Sequence, residues 1–332
     1  MLYFTTNSTD SAYNLAFEQR MFDTLPAGEA ALGLWRNRSA VIVGRHQDAA
    51  SEVDAGHLRA EGIALTRRLS GGGAVYHDLG NLNFTFITGT AGQAPERHFD
   101  FAFFLRPVLG ALHALGVRAE LSGRNDLCVD GRKCSGNAQY TRDGRVLHHG
   151  TLLFDVDLDT MTRVLCPPAD KLAVRGIPSV RSRVVNIAGL LPEPMTIEDF
   201  QARLLERLSA EGALTAFAPD PGWLSEVAAL REERYATFAW NWGESPRYNQ
   251  RRQARFVGGG LTAFLWVEDG RLREAALRGD FFADDPGALE AALAGIELTR
   301  EGISAALAPL GDVSAHIHGL DAETLIGLLL GE

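Results

Sequence analysis

The sequence contains very few lysines. Of its 32 basic residues only Lys133 and Lys171 are lysines, and the other 30 are arginines. At an exposed position lysine can be replaced by arginine at little cost, because surface charges contribute little to stability. A confined ammonium cannot be replaced so freely, because guanidinium is larger, planar and fixed in its geometry. The scarcity of lysine therefore makes Lys133, which stands in a glycine-containing motif, a candidate functional residue, and its ammonium is predicted to be buried.

Cysteine is also rare, and basic residues are outnumbered. Cys128, Cys134 and Cys166 are an odd number of cysteines without metal-ligand spacing, which argues against a disulfide framework and a zinc site and is compatible with a free thiol. The 32 basic residues oppose 42 acidic ones, giving a net charge of −10. A general binder of nucleic acid or of an anionic membrane needs a broad basic face, so neither class is expected. Any anionic substrate has to be bound by a local cluster.

Long apolar runs are missing as well. The first 20 residues lack the basic start and continuous apolar core of a secretory signal, and no stretch reaches the roughly 20 apolar residues of a membrane helix. We therefore expect a cytoplasmic protein with no membrane partner.

Apolar periodicity predicts an α+β fold with helices packed on a mixed sheet. Helices are predicted at 12–25, 98–116 and 196–214, and strands at 31–35, 40–44, 73–77, 82–87 and 151–156. The stretch 237–256 has the composition of a linker. A hairpin turning at Asp269-Gly270 and helices at 286–295 and 322–331 follow it. The predicted domains are residues 1–244, a large N-terminal domain, and 245–332, a small α+β accessory domain.

The first stretch that carries chemistry is RRLSGGGAVYHDLGN, residues 67–81. Consecutive glycines leave backbone N–H groups unshielded, so this loop could wrap around a phosphate, with arginine charge nearby. A glycine turn between strands explains the same residues equally well. His77 and Asp78 are adjacent and would diverge in a strand, so structural hydrogen bonding is expected of both.

The second stretch is GRNDLCVDGRKCSGNAQY, residues 123–140. A tight turn at Asp130-Gly131 would bring Asp126 and Lys133 to one cleft. A carboxylate for a metal and an ammonium for a phosphate or carboxylate are what a magnesium-bound nucleotide requires. A solvated hairpin with Lys133 on its surface is the alternative.

Two further segments have open interpretations. The pair His148-His149 precedes an apolar run, but adjacent histidines diverge in a strand and no third ligand is suitably spaced, so packing is favoured over metal binding. Between Arg163 and Arg183 five basic residues accompany the single acid Asp170. This excess is either a rim that binds an acidic partner or a phosphate, or a solvated basic face.

Together these motifs resemble the bacterial lipoate-protein ligases of the LplA type, in the biotin/lipoate ligase-like superfamily. The resemblance rests on RRLSGGGAVYHDLGN, on GRNDL followed by GRKCSGNA, and on HHGTLL and GIPSVRSRVVNI. It extends to NLAFEQ, LWRN, VGRHQ and WNWGESPRY. The motifs occur in order over nearly the whole chain, including the small C-terminal domain.

The resemblance implies that ATP and lipoate form lipoyl-AMP and that the lipoyl group then passes to a lysine of a carrier. The implied carriers are the lipoyl domains of the E2 subunits of 2-oxoacid dehydrogenase complexes and the glycine cleavage H protein. Lys133 would be catalytic and would also contact the nucleotide. The other implied nucleotide-binding residues are Arg68, Gly73, Ala74, Val75, Tyr76, Asn125 and Asp126, with Asp126 also a ligand of Mg²⁺. The implied lipoate-binding residues are Trp35, Gly71, Gly72 and His149, and Val41 and Val43 could extend an apolar tunnel beside Trp35.

Cys134 raises a rival interpretation. An acyltransferase of the same fold would carry an octanoyl group as a cysteine thioester, which requires an activated thiolate near the lysine. In a strand, however, Cys134 would face away from Lys133. A non-catalytic lipoate- or nucleotide-binding protein is a third possibility, and the retained lysine and glycine loop argue against it. A biotin ligase is disfavoured because its phosphate loop has a different arginine-glycine pattern.

Overall fold

A computed structural model describes residues 1–26, 28–89, 100–166, 183–209, 212–243 and 246–332. The chain divides into two compact units. The larger comprises Met1–Ile42, Ala50–Leu69 and Val75–Asn241, and the smaller comprises Val43–Ala49, Ser70–Ala74 and Trp242–Glu332. The boundary proposed from the sequence, between 244 and 245, lies outside the described residues. Two short loops, 43–49 and 70–74, also belong to the smaller unit. The sequence analysis divided the chain at a single point and therefore did not predict this.

The larger unit is built on an eight-stranded mixed sheet. In spatial order its strands are β11 (Thr215–Ala216), β1 (Leu2–Phe4), β2 (Ala30–Trp35), β6 (Asn81–Gly89), β10 (Arg145–Leu153), β9 (Arg132–Arg142), β8 (Asp126–Val129) and β7 (Glu120–Ser122). Strand β1 pairs in parallel with β11 and β2, and the pairs from β2 to β7 are antiparallel. A three-stranded sheet contains β4 (Ala64–Arg67), β3 (Ala40–Val43) and β5 (Val75–His77).

Helices flank these strands, which confirms the α+β class. They are α1 (Ser11–Thr24), α2 (Ala49–Glu52), α3 (Ala55–Glu61), α4 (Phe101–Ala114), α5 (Leu158–Val164), α6 (Ile197–Ser209), α7 (Pro221–Leu230) and α8 (Phe238–Asn241). The three long helices predicted from the sequence correspond to α1, α4 and α6. Within the described part of the chain, no helix is both long and apolar enough to span a bilayer.

Helices α1 and α4 pack on opposite faces of the eight-stranded sheet. Phe22 of α1 belongs to the same buried cluster as Trp35 and Leu147 of the sheet. On the other face, Phe104 of α4 stacks on His148, with ring centroids 4.9 Å apart. Because successive residues of a strand point to opposite faces, Leu147 and His148 identify the two faces of β10. We call the face that carries Trp35 and Leu147 the α1 face.

Strands β8, β9 and β10 form an antiparallel meander with two tight turns. Asp130 and Gly131 have positive φ values of 50° and 72°, as a two-residue hairpin turn requires, which confirms the predicted turn. The pairing of β8 with β9 is irregular, because Cys128 lies opposite Lys133 while Leu127 lies opposite Ser135. Cys134 is therefore the extra residue of a β-bulge, which shifts the alternation of side chains along β9 by one residue.

The smaller unit has its own sheet and core. Strands β12 (Gln250–Phe256), β13 (Gly259–Glu268), β14 (Arg271–Gly279) and β15 (Ile296–Glu297) are antiparallel, and helices α9 (Pro286–Leu293), α10 (Arg300–Leu307) and α11 (Ala322–Leu330) accompany them. The core combines Leu261 and Leu265 of β13 with Leu289, Ile303 and Leu325 of the helices. The predicted turn is confirmed by φ values of 51° and 72° at Asp269 and Gly270.

Two predictions need correction. The stretch 237–256 is not a linker throughout, because 238–241 is helical and 250–256 is strand β12, which pairs with β13 along its whole length. Its arginines suited a linker by composition, yet they also suit the exposed positions of an edge strand. The strand predicted at 151–156 runs from 145 to 153, so the histidine pair lies in its middle. Most of the basic segment from Arg163 to Arg183 lies outside the described residues.

Candidate functional site

A row of cross-strand neighbours on the α1 face connects several of the predicted site residues. Trp35 on β2 pairs with Asn83 on β6, which pairs with Thr151 on β10. Thr151 lies beside Gly136 on β9, and the Gly136 N–H donates to the Thr151 hydroxyl at 3.1 Å. Gly136 in turn pairs with Asp126 on β8. Adjacent strands are about 4.8 Å apart, so roughly 14 Å separate the backbones of Trp35 and Gly136. The sheet therefore places an apolar residue and an acid at two ends of one row.

Lys133 reaches this row because of the bulge. Without an extra residue, positions 133 and 136 would face opposite sides of β9, but the bulge at Cys134 brings them to the same side. The Lys133 ammonium lies 2.8 Å from Asp126 Oδ1. The Lys133 carbonyl accepts from the Val185 N–H at 2.9 Å, which fixes the backbone. An ammonium has three N–H donors, so this group can bind an anionic oxygen while it remains paired with Asp126.

The exposure of Lys133 differs from the prediction of a buried amine. Its side chain is 35% exposed, and that of Asp126 is 23% exposed. The bulge lies near the edge of the sheet, where β8 and then β7 follow β9 in the described part of the chain, so the ammonium remains accessible to a ligand. Asp126, rather than burial, holds it in place.

Asn125 forms a reciprocal pair with Asn137. Its side-chain amide donates to the Asn137 carbonyl at 2.6 Å, and the Asn137 amide donates to the Asn125 carbonyl at 2.9 Å. These bonds fix the start of β8 immediately before Asp126. The structure thus gives Asn125 a positioning role, and its predicted contact with a nucleotide stays a prediction.

Cys134 lacks the properties of a nucleophile. Its side chain is fully buried, and the thiol donates to the Leu127 carbonyl at 3.4 Å. Burial raises the pKa of the Cys134 thiol to about 12, so the thiolate is essentially absent at neutral pH. Cys128 is buried too, and partial desolvation raises the pKa of the Cys166 thiol although this residue is exposed. These properties oppose the thioester interpretation.

A buried polar network lies near the Trp35 end of the row. The indole N–H of Trp35 donates to the Thr85 hydroxyl at 3.0 Å, and that hydroxyl donates to Glu18 Oε1 at 2.5 Å. His149 Nδ1 lies 3.0 Å from Glu18 Oε2. Thr85 and His149 are cross-strand neighbours on the α1 face. The structure therefore brings the predicted residues Trp35 and His149 together through two residues that the sequence analysis did not single out.

Glu18 could have been found from its position in α1. It is only 4% exposed and lies among the buried residues of this helix, three after Leu15 and three before Met21. A carboxylate at an apolar position of an amphipathic helix needs a buried partner. Asn83 is a second residue that was missed: its buried side-chain nitrogen has no hydrogen-bond partner among the described residues. Such an N–H donor on the α1 face can donate a hydrogen bond to a ligand oxygen or to an ordered water.

Arg68 and His77 lie close to this network. Burial lowers the pKa of Arg68 to about 10 although Glu18 acts in the opposite direction, so the guanidinium stays charged at neutral pH. It donates to the Ile42 carbonyl at 3.2 Å. Burial, and then the charges of Arg68 and His149, lower the pKa of His77 to about 3. His77 is therefore neutral, and its bond to Asn37 at 3.0 Å agrees with the structural role expected of it.

Asp78 and His148 also have structural roles. Asp78 accepts from the backbone N–H groups of Gly80 and Asp157, both at 2.8 Å. His148 lies on the opposite face from His149, and burial lowers its pKa well below the usual value. Among the described residues no group of three or more His, Cys, Asp or Glu could hold a metal ion. The stacking of its ring on Phe104 agrees with the packing interpretation of His148.

The glycine loop belongs to the smaller unit, and local packing explains two of its glycines. A Cβ at Gly71 would lie 2.2 Å from the Phe281 carbonyl oxygen, and Gly72 has a φ of 88°. The Gly72 N–H donates to the same oxygen at 3.4 Å. A glycine turn between strands is thus sufficient to explain why glycine stands at positions 71 and 72. Lipoate binding by these glycines, and nucleotide binding by Gly73 and Ala74, stay predictions.

Val75 and Tyr76 follow the loop on β5 and belong to the larger unit. They pair with Ile42 and Val41 of β3. Tyr76 is 3% exposed, and burial raises the pKa of its hydroxyl. Val41 is fully buried too. Nucleotide binding at Val75 and Tyr76, like that of Arg68, stays a prediction.

The fold is shared with solved ligases. A crystal structure of lipoate-protein ligase A bound with ATP is 28% identical with a TM-score of 0.63, and the match covers 73% of this chain and 97% of that one. A structure of a bi-partite lipoate protein ligase and its E2 lipoyl domain from Thermoplasma acidophilum is 28% identical with a TM-score of 0.65, and the match covers 75% of this chain and 98% of that one. LipL1 of P. falciparum in complex with lipoate covers 100% of this chain and 99% of its own at 22% identity and a TM-score of 0.76, which bears on the fold alone.

Family models and curated relatives give the assignment. The lipoyl protein ligase A/B catalytic domain matches residues 10–209, and the bacterial lipoate protein ligase C-terminus matches residues 245–329. Lipoate-protein ligase LplJ of Bacillus subtilis is 39% identical, covering 90% of both chains. Lipoate–protein ligase 1 of Staphylococcus aureus is 38% identical, covering 97% of this chain and 98% of its own. The chain belongs to the lipoate-protein ligase family.

Proposed function

We propose that the protein is an ATP-dependent lipoate-protein ligase that acts in two steps. In the first, a lipoate carboxylate oxygen attacks the α-phosphorus of ATP, giving lipoyl-AMP and releasing pyrophosphate. In the second, the amine of a carrier lysine attacks the acyl carbon, forming an amide and releasing AMP. The observation that carries the proposal is the Lys133 ammonium, fixed 2.8 Å from Asp126 on the same sheet face as Trp35.

The row on the α1 face fits an elongated acid with one charged end. Trp35 and His149, both buried, would receive the apolar end, and Lys133 would receive the carboxylate. The roughly 14 Å between the backbones of Trp35 and Gly136, beside which the Lys133 ammonium lies, allows one extended molecule to contact both Trp35 and Lys133. This arrangement supports a medium-length carboxylic acid as the substrate.

Lys133 would stabilise negative charge in both steps. A carboxylate and the α-phosphate repel each other as they approach, and a preorganised ammonium offsets this repulsion. In the second step the same group would stabilise the oxyanion that forms when the acyl carbon is attacked. The pairing with Asp126 keeps the ammonium in place before ATP arrives.

The remaining nucleotide contacts are proposed from the family motifs. Arg68, Gly73, Ala74, Val75, Tyr76 and Asn125 match the nucleotide-binding positions, and Gly71 and Gly72 match positions near lipoate. Mg²⁺ is commonly held by one or two carboxylates together with phosphate oxygens and waters, and the partly exposed Asp126 carboxylate fits this requirement. When bound, the ion would neutralise phosphate charge.

The carriers proposed are the lipoyl domains of E2 subunits and the H protein. The Thermoplasma acidophilum relative was studied with an E2 lipoyl domain, which supports the first of these. The net charge of −10 gives no support for a nucleic-acid or anionic-membrane partner. A reaction that consumes ATP and modifies metabolic enzymes fits the cytoplasm.

The first test is ATP–pyrophosphate exchange with lipoate, octanoate and biotin. The unaltered protein is expected to exchange with lipoate, and Lys133→Ala is expected to lose at least 100-fold, because removing one preorganised charge-stabilising group typically costs 100- to 1,000-fold. Circular dichroism of Lys133→Ala should match that of the unaltered protein, since the side chain is partly exposed. Lys133→Arg is the charge-conserving control, and it should recover little because guanidinium does not fit the place of an ammonium.

A second assay separates ligation from thioester transfer. The unaltered protein should attach lipoate to a purified lipoyl domain only when ATP is present, as measured by the mass of the intact domain. Transfer from an octanoyl carrier without ATP, abolished by Cys134→Ala, would contradict the ligase assignment.

A further inference from the structure

Gly136 has no side chain at a point where the structure gives no backbone reason for a glycine. Its φ is outside the left-handed region, since it is not among the glycines with positive φ. The nearest atoms that a Cβ would meet belong to side chains: Lys133 Nζ at 2.6 Å, Lys133 Cε at 2.7 Å and Asp126 Oδ1 at 4.0 Å. At Gly150 on β10, a Cβ would meet Asn137 Oδ1 at 1.9 Å and the ring of Phe84 at 2.5 Å, so its nearest neighbours do not include Lys133. Gly136 is the one glycine of β9, and it stands where the side chain of Lys133 lies over the strand.

We propose that Gly136 is a positioning residue for the lysine, and this inference rests on the function proposed above for Lys133. The missing Cβ leaves the space that the Lys133 ammonium occupies beside Asp126. Gly136 thereby sets where the ammonium meets the acid and the nucleotide. The bulge and the glycine act together, because the bulge brings Lys133 over position 136 and the glycine lets it lie there.

The backbone of Gly136 cannot move away to admit a side chain. Its N–H donates to the Thr151 hydroxyl at 3.1 Å, and its carbonyl accepts from that hydroxyl at 3.4 Å. Gly136 is also the cross-strand partner of Asp126 on β8. A methyl group at 136 would therefore displace the flexible end of Lys133 by about 1 Å, because non-bonded heavy atoms prefer separations of about 3.5 Å. The fold should tolerate this change, since only a side-chain end has to shift.

Gly136→Ala in the full chain tests the inference. A catalytic group misplaced by about 1 Å can cost about 100-fold in rate. We expect the maximal rate of pyrophosphate exchange to fall about 100-fold, the lipoate KM to change by less than about threefold, and the melting temperature to stay close to that of the unaltered protein. Gly89→Ala in β6 is the matched control, because a Cβ there meets its nearest atom, Gly28 N, at an ordinary 3.5 Å. Gly89→Ala should exchange pyrophosphate at the same maximal rate as the unaltered protein.

A double-mutant cycle distinguishes positioning from general damage to the site. Binding of a lipoyl-sulfamoyl-adenosine analogue is measured by calorimetry in the unaltered protein, Gly136→Ala, Lys133→Ala and the double variant. With Lys133 present, the methyl group should weaken binding. With alanine at 133 it has no ammonium to displace and should have no effect.

The outcomes separate the inference from the function on which it rests. If the unaltered protein does not exchange, the proposed function fails and the inference fails with it. If the unaltered protein exchanges and Gly136→Ala keeps its full rate, only the inference is overturned. Equal weakening of analogue binding in both backgrounds would also overturn it, because the glycine would then act independently of the lysine.

Discussion

At the scale of single residues, the sequence located the functional lysine but not the features that hold it. The scarcity of lysine indicated Lys133 because an ammonium was retained where most basic positions carry guanidinium. Its partner Asp126 was also predicted, since a two-residue turn places both on one hairpin. Burial of the ammonium was predicted wrongly, because exposure depends on how many strands lie beyond β9. Glu18 and Gly136 were missed, since their roles depend on contacts between distant segments.

The cysteine next to the lysine gives the prediction that belongs to this scale. Because burial raises the pKa of Cys134 to about 12, its thiol should not react with iodoacetamide in the native protein near pH 7.5. Mass spectrometry after a short exposure should find label at the exposed Cys166 first, and at Cys134 only after denaturation. Cys134→Ala should retain ligation to within a few-fold. Rapid native labelling of Cys134, or a loss of turnover in this variant, would revive the thioester mechanism.

At the scale of elements, local patterns predicted turns well and strand irregularities poorly. The turns at Asp130-Gly131 and Asp269-Gly270 were predicted because an Asp-Gly pair favours positive φ at two successive positions. The bulge at Cys134 has no comparable local signal, because it arises from the pairing of β9 with β8. The strand β12 was taken for a linker because edge strands and linkers share charged, polar compositions.

The two matching turns provide an element-scale prediction. Gly131→Ala and Gly270→Ala each place alanine at a φ of 72°, which should lower the free energy of unfolding by about 1 kcal/mol. The two variants should destabilise different parts of the chain. Hydrogen exchange in peptides spanning 126–142 should accelerate only in Gly131→Ala. Pyrophosphate exchange should fall only in that variant, because its hairpin carries Lys133 and Asp126. Equal activity losses in both variants would show that the effect is not local to the β8–β9 hairpin.

At the scale of the whole molecule, composition excluded classes of function, and the order of motifs identified the family. The α+β class followed from the order of periodic segments, and both family models match the chain. The assignment of the loops 43–49 and 70–74 to the smaller unit could not be predicted, because it depends on contacts made by residues such as Phe281 far along the chain. Likewise, the common face of Trp35, His149 and Asp126 follows from strand order, which a single sequence does not specify.

Stability in acid is a property of the whole molecule that the buried histidines should control. The pKa of His77 is lowered to about 3 and that of His148 lies well below its usual value, so both stay neutral in the folded protein. In the unfolded chain each takes up a proton near pH 6.5. The unfolded state therefore binds more protons below this pH, and stability that is fully present above pH 6.5 is lost as the pH falls towards the folded pKa values. Each histidine contributes a slope of up to about 1.4 kcal/mol per pH unit in this window.

His148→Gln tests this linkage because the residue lies on the face opposite the candidate site. Urea unfolding at intervals from pH 7.5 to 5.0 should show the free energy of unfolding falling with pH in the unaltered protein. In the variant the slope below pH 6 should be shallower by about 1 kcal/mol per pH unit, whatever its stability at pH 7.5, because glutamine takes up no proton. The comparison of slopes separates the linkage from the packing lost between the ring and Phe104. Parallel slopes in the two proteins would mean that His148 is protonated in the folded state, against its burial among aromatic rings.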